Sequence, residues 1–149
     1  MKIRKARKED FDQYYLLRKD ALEGHRKLTH ERLRVSSKQI RKEFEGIFLD
    51  KRRVLFVIED YDKLQGFIMG TLLKNAYQRS AYLDDIFVAK DSQGKGFGKK
   101  LMNEFETWSK LKKVTKIRLG VSINNQNAIN LYKKTGYSIK YYEMDKDLY

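Results

Sequence analysis

AYLDDIFVAKDSQGKGFGKKLM, residues 81–102, decides the fold. Tyr82, Leu83, Ile86, Phe87 and Val88 form a short apolar run rich in β-branched and aromatic side chains, which reads as a strand. A loop with glycine at 94, 96 and 98 follows, and then a helical pattern. Glycine has no Cβ, so this loop can take positive φ and lie directly against a ligand. The first N–H groups of the next helix have no intrahelical partner, and with the positive end of the helix dipole they make a seat for an anion. A phosphate or pyrophosphate is the natural guest. Lys95, Lys99 and Lys100 add positive charge there, each worth about 0.3–1 kcal/mol if exposed.

Three phosphate-binding patterns compete for this loop, beside a glycine-rich turn with no ligand at all. A P-loop needs four residues between its first glycine and Gly-Lys-Ser/Thr, and no Ser or Thr follows Gly98 to hold magnesium. A dinucleotide fingerprint needs G-x-G-x-x-G and an acidic residue about 20 positions on, whereas the chain has G-x-G-x-G and the region around Arg118 is basic. The third pattern, Gln/Arg-x-x-Gly-x-Gly/Ala, is met by Gln93, Gly94, Lys95, Gly96, Phe97 and Gly98. It resembles the acetyl-CoA pyrophosphate loop of the GCN5-related N-acetyltransferase (GNAT) superfamily. Downstream, Val121, Asn125, Ala128, Leu131, Tyr132, Gly136 and Tyr137 fall in the order V-x-x-x-N-x-x-A-x-x-L-Y-x-x-x-G-Y, which is similar to a second hallmark of that superfamily. The two motifs cover the C-terminal half of the chain.

The 149 residues suggest one domain, 1–149, and a chain of this length buries roughly 68–70% of its unfolded surface. Hydrophobic residues at 41% and aromatics at 13% support a packed core despite 36% charged residues, which argues against disorder. No apolar run approaches about 18 residues, and MKIRKARKEDF has no hydrophobic core of a signal peptide, so the expected setting is cytoplasmic and membrane-free. The absence of cysteine excludes disulfides, zinc–thiolate sites and a cysteine nucleophile. With His25 and His30 as the only histidines, no metal site is expected. The net charge of +13 suits polyanions generally. Contact with nucleic acid or the ribosome is compatible with that charge but has no recognition motif behind it, and a homodimer is left open.

Outside the opening stretch, an edge strand is expected over Lys2–Arg7. From Lys8 a helix carries Phe11, Tyr14, Tyr15, Leu17, Arg18, Ala21 and Leu22 on one stripe and ends at Gly24. His25–Val35 reads as an irregular basic segment. Ser36 and Gln39 form a capping box before a helix bearing Ile40, Phe44, Ile47 and Phe48. Val54–Glu59 and Leu64–Leu73 form a hairpin, with Gly66 and Gly70 marking a bulge or a close approach. A helix through Leu101, Met102, Phe105, Trp108 and Leu111 leads to a parallel strand over Thr115–Val121. The last helix covers Asn125–Thr135 with Gly136 just beyond it, and Tyr137–Leu148 closes the sheet.

The resemblance implies an α/β GNAT fold: one mixed sheet of about six to seven strands, largely antiparallel with a parallel central pair, flanked by about four helices. It implies an acetyl-CoA-dependent N-acetyltransferase acting on a primary amine, with acetyl-CoA and that amine as partners. Lacking a thiol, the chain is expected to transfer the acetyl group directly in a ternary complex, with a serine-linked intermediate as the alternative. Amine acetylation needs a base, donors for the thioester carbonyl and an acid for the leaving thiolate. Tyr132 matches the superfamily tyrosine that serves as acid; packing is its other reading. Backbone groups of Ile86, Phe87 and Val88, near an expected bulge, would hold the carbonyl and pantetheine arm. Gln93 through Lys99 would hold the pyrophosphate, and Asn125 and Ala128 would line the pantetheine side. Asn125 also suits a helix N-cap.

On the strand itself, alternation puts 82, 84, 86 and 88 on one face until a bulge intervenes. YLDDIFV resembles Y-L-E-D-F-F-V of diamine and polyamine acetyltransferases, which implies Asp84 as base through a water and Asp85 as an attractor of the cationic amine. Pairing of these carboxylates with lysine or arginine is the alternative. The early helices form an acceptor wall in the superfamily, with Glu23, His25 and His30 as candidates or as a solvated loop. Ribosomal-type N-terminal acetyltransferases carry L-E-V where this chain has Leu119-Gly120-Val121, which favours a small or polyamine-like amine over a peptide. A protein or peptide acceptor, at an N-terminus or a lysine, and a CoA-binding or nucleic-acid-associated module without turnover stand as alternatives.

Overall fold

The computed structural model describes residues 1–31, 34–74 and 78–149. In chain order, β1 (Lys2–Lys5) and a 3-10 turn (Lys8–Asp10) precede α1 (Phe11–Thr29) and α2 (Ser37–Leu49). Then come β2 (Arg53–Asp60), β3 (Lys63–Leu73), β4 (Ser80–Val88), a second 3-10 turn (Lys90–Ser92), α3 (Phe97–Leu111), β5 (Lys116–Arg118) and α4 (Gln126–Lys134). The strands form one mixed sheet in the order β1-β2-β3-β4-β5, antiparallel except for the parallel pair β4·β5.

Helices cover both faces. Tyr14, Leu17 and Ala21 of α1 and Ile40, Phe44 and Ile47 of α2 pack on Leu55, Val57, Phe67 and Met69. On the other face, Phe97, Leu101, Met102, Phe105 and Trp108 of α3, with Tyr132 of α4, pack on Val54, Phe56, Ile58, Ile68, Ala81 and Leu83. The sheet residues alternate between the two clusters as the pleat requires.

The sheet has five strands among the described residues, where about six to seven were expected, and the parallel pair lies at its edge, not its centre. Tyr137–Leu148 is not a strand: Tyr141, Tyr142 and Met144 are 68%, 80% and 91% exposed. β5 pairs with β4 over three residues only, and an alternating segment becomes a strand when a neighbour offers backbone and a face to bury. α1 runs past Gly24 to Thr29 and stops at His30, whose φ is +59°. The cost of one glycine, about 1 kcal/mol, is outweighed by the turns that follow, and Asn124 Nδ2 donates to the carbonyl of Leu28 at 3.0 Å. The expected irregular segment therefore begins five residues later, and its Arg32 and Leu33 lie outside the described residues. The capping box is present: Gln39 N–H donates to Ser36 Oγ at 3.2 Å, and Ser36 N–H to Gln39 Oε1 at 2.7 Å.

Gly70 is where the sheet and α3 touch most closely. A Cβ there would lie 2.4 Å from the Phe105 ring and 2.6 Å from the Tyr82 carbonyl oxygen. Gly70→Ala should lose about 1–3 kcal/mol or more in urea unfolding, because neither the buried ring nor the backbone can yield cheaply. Gly24→Ala, with nothing within 4 Å of its Cβ, should gain about 0.5–1 kcal/mol in the same assay.

Candidate active site

The site begins where β4 and β5 part. Their pairing runs Ser80↔Lys116, Ala81↔Ile117 and Tyr82↔Arg118 and then ends, while β4 continues to Val88. The backbone of β4 from Leu83 onward therefore faces a gap on that side. β5 was expected to reach Val121, but the chain turns aside so that Gly120 sits against Tyr82, where an added Cβ would be 3.0 Å from Tyr82 Oη.

A bulge in β4 sets the chemistry of this gap. Met69 pairs with Asp85 and Gly70 with Leu83, so Asp84 is the extra residue. The bulge had been expected near Val88. Its actual place changes which way the carboxylates face: Ala81 and Leu83 point to the α3 side, and so do Ile86 and Val88, so the alternation switches parity across Asp84 and Asp85. Both aspartates consequently point toward α1 and α2, and Asp84 does not share a face with Val88. Asp84 Oδ2 accepts from Thr71 Oγ1 at 2.6 Å, and Asp85 Oδ2 accepts from Arg18 Nη1. Desolvation raises both carboxyls above the ordinary aspartate range, opposed at Asp84 by Thr71 and Arg53 and at Asp85 by Arg18.

Arg18 reaches Asp85 from α1 and also grips Glu43 of α2, with Nε to Oε1 at 3.0 Å and Nη2 to Oε2 at 3.2 Å. Tyr14, fully buried, donates from its hydroxyl to the same Glu43 Oε1 at 2.9 Å. Sequence reading missed Glu43 and placed Tyr14 and Arg18 in an apolar stripe. A guanidinium inside such a stripe is the signal, because a buried arginine needs an acidic partner.

Tyr132 comes from the opposite side of the sheet. Asn125 caps α4, its Oδ1 accepting from Ala128 N–H at 3.1 Å. The helix ends in a Schellman motif: Tyr137 N–H donates to the Tyr132 carbonyl at 2.9 Å, Gly136 N–H to that of Lys133 at 3.1 Å, and Gly136 has φ +94°. The two tyrosine rings lie 5.9 Å apart, the apolar contact that accompanies this motif. These contacts explain L-Y-x-x-x-G-Y as a device that holds one buried tyrosine. Burial and the nearby Asp85 carboxylate push the Tyr132 phenol up to about 12. Tyr132 and Asp85 thus belong to opposite faces of the sheet, with the charge of the carboxylate felt at the phenol.

At the far end of β4 the glycine loop is built as an anion seat. Gly94 and Gly96 both have φ +77°, and a Cβ on either would project into open space. Gly96 precedes α3, whose first turn has no side-chain cap and no acidic residue. Gly98 instead packs on α4, where a Cβ would meet Leu131 at 3.2 Å. Gln93 Nε2 donates to the Val88 carbonyl at 3.1 Å and ties the loop to the strand. Lys95 and Lys99 are exposed beside it. Phe97 is buried in the core, so only its backbone faces the seat, and Ile86 and Phe87 likewise send their side chains into packing. This cradle fits a pyrophosphate: left-handed glycines, orphan N–H groups and flanking cations coincide.

Glu23, His25 and His30 are not brought to this cluster. They lie exposed at the end of α1, where Glu23 contacts Arg26 and Lys27, and His25 faces Glu31 at 3.4 Å. Among the described residues no group of three or more His, Cys, Asp or Glu could hold a metal, and no helix is long and apolar enough to cross a membrane.

A mixed sheet whose last two strands part beside a glycine-rich cradle, with a buried tyrosine on one face and two carboxylates on the other, fits the class of acyl-CoA-dependent acyltransferases. The acetyltransferase (GNAT) family model matches residues 11–137, and the chain belongs to that family. It is 28% identical over 141 residues to an uncharacterized N-acetyltransferase of Methanocaldococcus jannaschii, covering 93% of this chain and 61% of the relative. A spermidine N(1)-acetyltransferase of Vibrio cholerae is 34% identical over 83 residues, 55% of this chain and 47% of that protein. The chain thus spans about half to three fifths of the length of these curated relatives. Among solved structures, aminoglycoside N-acetyltransferase AAC(6')-Iy in complex with CoA superposes with a TM-score of 0.82 at 16% identity, over 98% of this chain and 93% of the other. That likeness concerns the fold.

Proposed function

We propose that residues 1–149 work as one cytoplasmic N-acetyltransferase domain that passes the acetyl group of acetyl-CoA directly to the primary amine of a small, cationic, polyamine-like acceptor. One observation carries the acceptor class. In a chain of net charge +13, the bulge gathers Asp84 and Asp85 on one face beside Glu43, with Arg18 and Arg53 the cations acting on them among the described residues. Such a pocket favours an ammonium and raises its local concentration. The spermidine acetyltransferase relative agrees with this class.

Acetyl-CoA supplies a thioester whose carbonyl carbon is attacked. Asp84, in reach of solvent, takes the proton that the attacking amine sheds, directly or through a water, and Asp85 orients the cationic acceptor. Backbone N–H groups of β4 at the open edge polarise the carbonyl. Tyr132 Oη–H donates to the sulfur as the C–S bond breaks and the C–N bond forms, and the proton shed by the amine restores the balance. Gly94–Lys99 and the Asn125 amide hold the two ends of the CoA chain in place.

A peptide acceptor is the less favoured reading. The position that carries an acidic residue in the L-E-V pattern is Gly120, and Tyr82 leaves a side chain there little room.

Thiol release from acetyl-CoA against putrescine, spermidine, spermine, amino acids, aminoglycosides and short peptides tests the proposal. The expected result is a response confined to the cationic amines, lowered roughly 10²-fold by Asp84→Asn. Because burial raises the Asp84 carboxyl, activity should rise with pH through a limb above the ordinary aspartate range. Response to peptides alone would replace the acceptor class, and acetyl-CoA binding without any turnover would point to a binding module.

A further inference from the structure

Arg18 is a buried cation shared between two carboxylates from different elements. Its guanidinium spends three of its nitrogens on protein: Nε and Nη2 on Glu43 from α2, and Nη1 on Asp85 at the β4 bulge. The side chains of Asp85 and Glu43 are about a third exposed, at 32% and 30%, while that of Arg18 is only 12% exposed. The cation is therefore behind and the anions in front. Two carboxylates on one guanidinium leave a net negative charge at the mouth, held by a fork whose planar geometry prevents either anion from swinging away. Tyr14 locks the rear by donating to Glu43, and its ring is wedged against Phe44 and Phe67 at centroid distances of 5.0 and 5.2 Å.

Alone, Asp85 would be a poor ammonium anchor. It is desolvated, and Glu43 adds like charge. The groups that face it are Arg18 and Tyr14 from α1, Glu43 from α2 and Tyr132 from α4, while its partner on β3 is the uncharged Met69. Arg18 is the only cation among those facing groups. We infer that Arg18 is a positioning residue for acceptor recognition: by joining Asp85 to Glu43 it keeps Asp85 ionised and fixed at the bulge, so that the pair acts as one anchor for the acceptor's ammonium. The inference rests on the cationic-amine reading above.

Arg18→Gln, with Arg18→Lys as the conservative partner, tests it in the full chain. Arg18→Gln should raise KM for the cationic amine about tenfold or more, since removing one member of a buried charge pair leaves the other without compensation. KM for acetyl-CoA should not change. The acid limb of kcat/KM should move to higher pH, so that amine affinity recovers as pH rises, and Arg18→Lys should restore most of the wild-type profile. Carbon-13 NMR titration of the Asp85 carboxyl should show the same upward displacement in Arg18→Gln without any turnover. An Asp85 titration and pH profile identical to wild type would overturn the inference. If Arg18→Gln does not fold, a KM for the amine that stays unchanged when Asp85→Asn is added to Arg18→Lys would overturn it as well. A displaced Asp85 titration in a protein that acetylates no cationic amine would instead overturn the acceptor reading and leave the Arg18 linkage standing.

Discussion

Tyr132→Phe should lower turnover roughly 10²-fold or more while leaving acetyl-CoA affinity at its wild-type value. The substitution removes one hydroxyl and keeps the ring, so the contact with Tyr137 and the Schellman end of α4 survive. What goes is the proposed donor to the leaving sulfur. The phenol suits this role because burial, reinforced by Asp85, holds it protonated far into the alkaline range. A group needed in its protonated form loses function as pH rises through its pKa. With that pKa pushed up to about 12, the wild-type rate should show no alkaline fall from this residue near the ordinary tyrosine value of about 10. Steady-state thiol release, paired with calorimetric titration of acetyl-CoA, reads both halves of the prediction. An unchanged rate with intact binding would remove Tyr132 as the acid and leave it a packing residue.

Gly96→Val should abolish measurable acetyl-CoA binding in a protein that keeps its fold. Two effects combine at this residue. Its φ of +77° is the left-handed region, which a β-branched side chain adopts only under strain. Its missing Cβ also leaves the open space above the α3 N-terminus into which an anion must come close to reach the N–H groups. Gly96→Asn separates the two. Asparagine tolerates left-handed backbone yet still fills the space, so a ligand seated there is lost in both variants, whereas strain alone would spare the asparagine variant. Calorimetric titration measures the affinity, and far-ultraviolet circular dichroism with Tm verifies the fold. Wild-type affinity in both variants would sink the loop assignment.

Much of this arrangement was legible in the sequence because it is local. The strand, loop and helix of residues 81–102 follow from β-branched residues, alternate glycines and a helical apolar stripe, and the structure has β4, the cradle and α3 there. The Ser36–Gln39 capping box, the Asn125 cap and Gly136 at the end of α4 depend on neighbours within a few positions, and all three are present. Gly70 was read as a bulge or a close approach, and it is the close approach, lying against Phe105 and opposite the bulge that β4 makes at Asp84. The misreadings share a different character. Tyr137–Leu148 alternates but found no neighbour, β5 stopped at Arg118, and α1 passed through Gly24 because tertiary contacts outweighed one residue's propensity.

The sequence by itself determined the strand, the glycine loop and the helix of residues 81–102 and the capped last helix that carries Tyr132, since each is written in spacing over a turn or two of chain. Only the tertiary structure decided where the β4 bulge lies, and with it that Asp84 and Asp85 face the same way. Only it brought Arg18 and Glu43 to that face and set Tyr132 in the core on the other. The physical reason is register. A one-residue bulge reverses every side chain beyond it, and its position depends on how two strands and the helices packed over them settle together, which no stretch of the chain encodes alone.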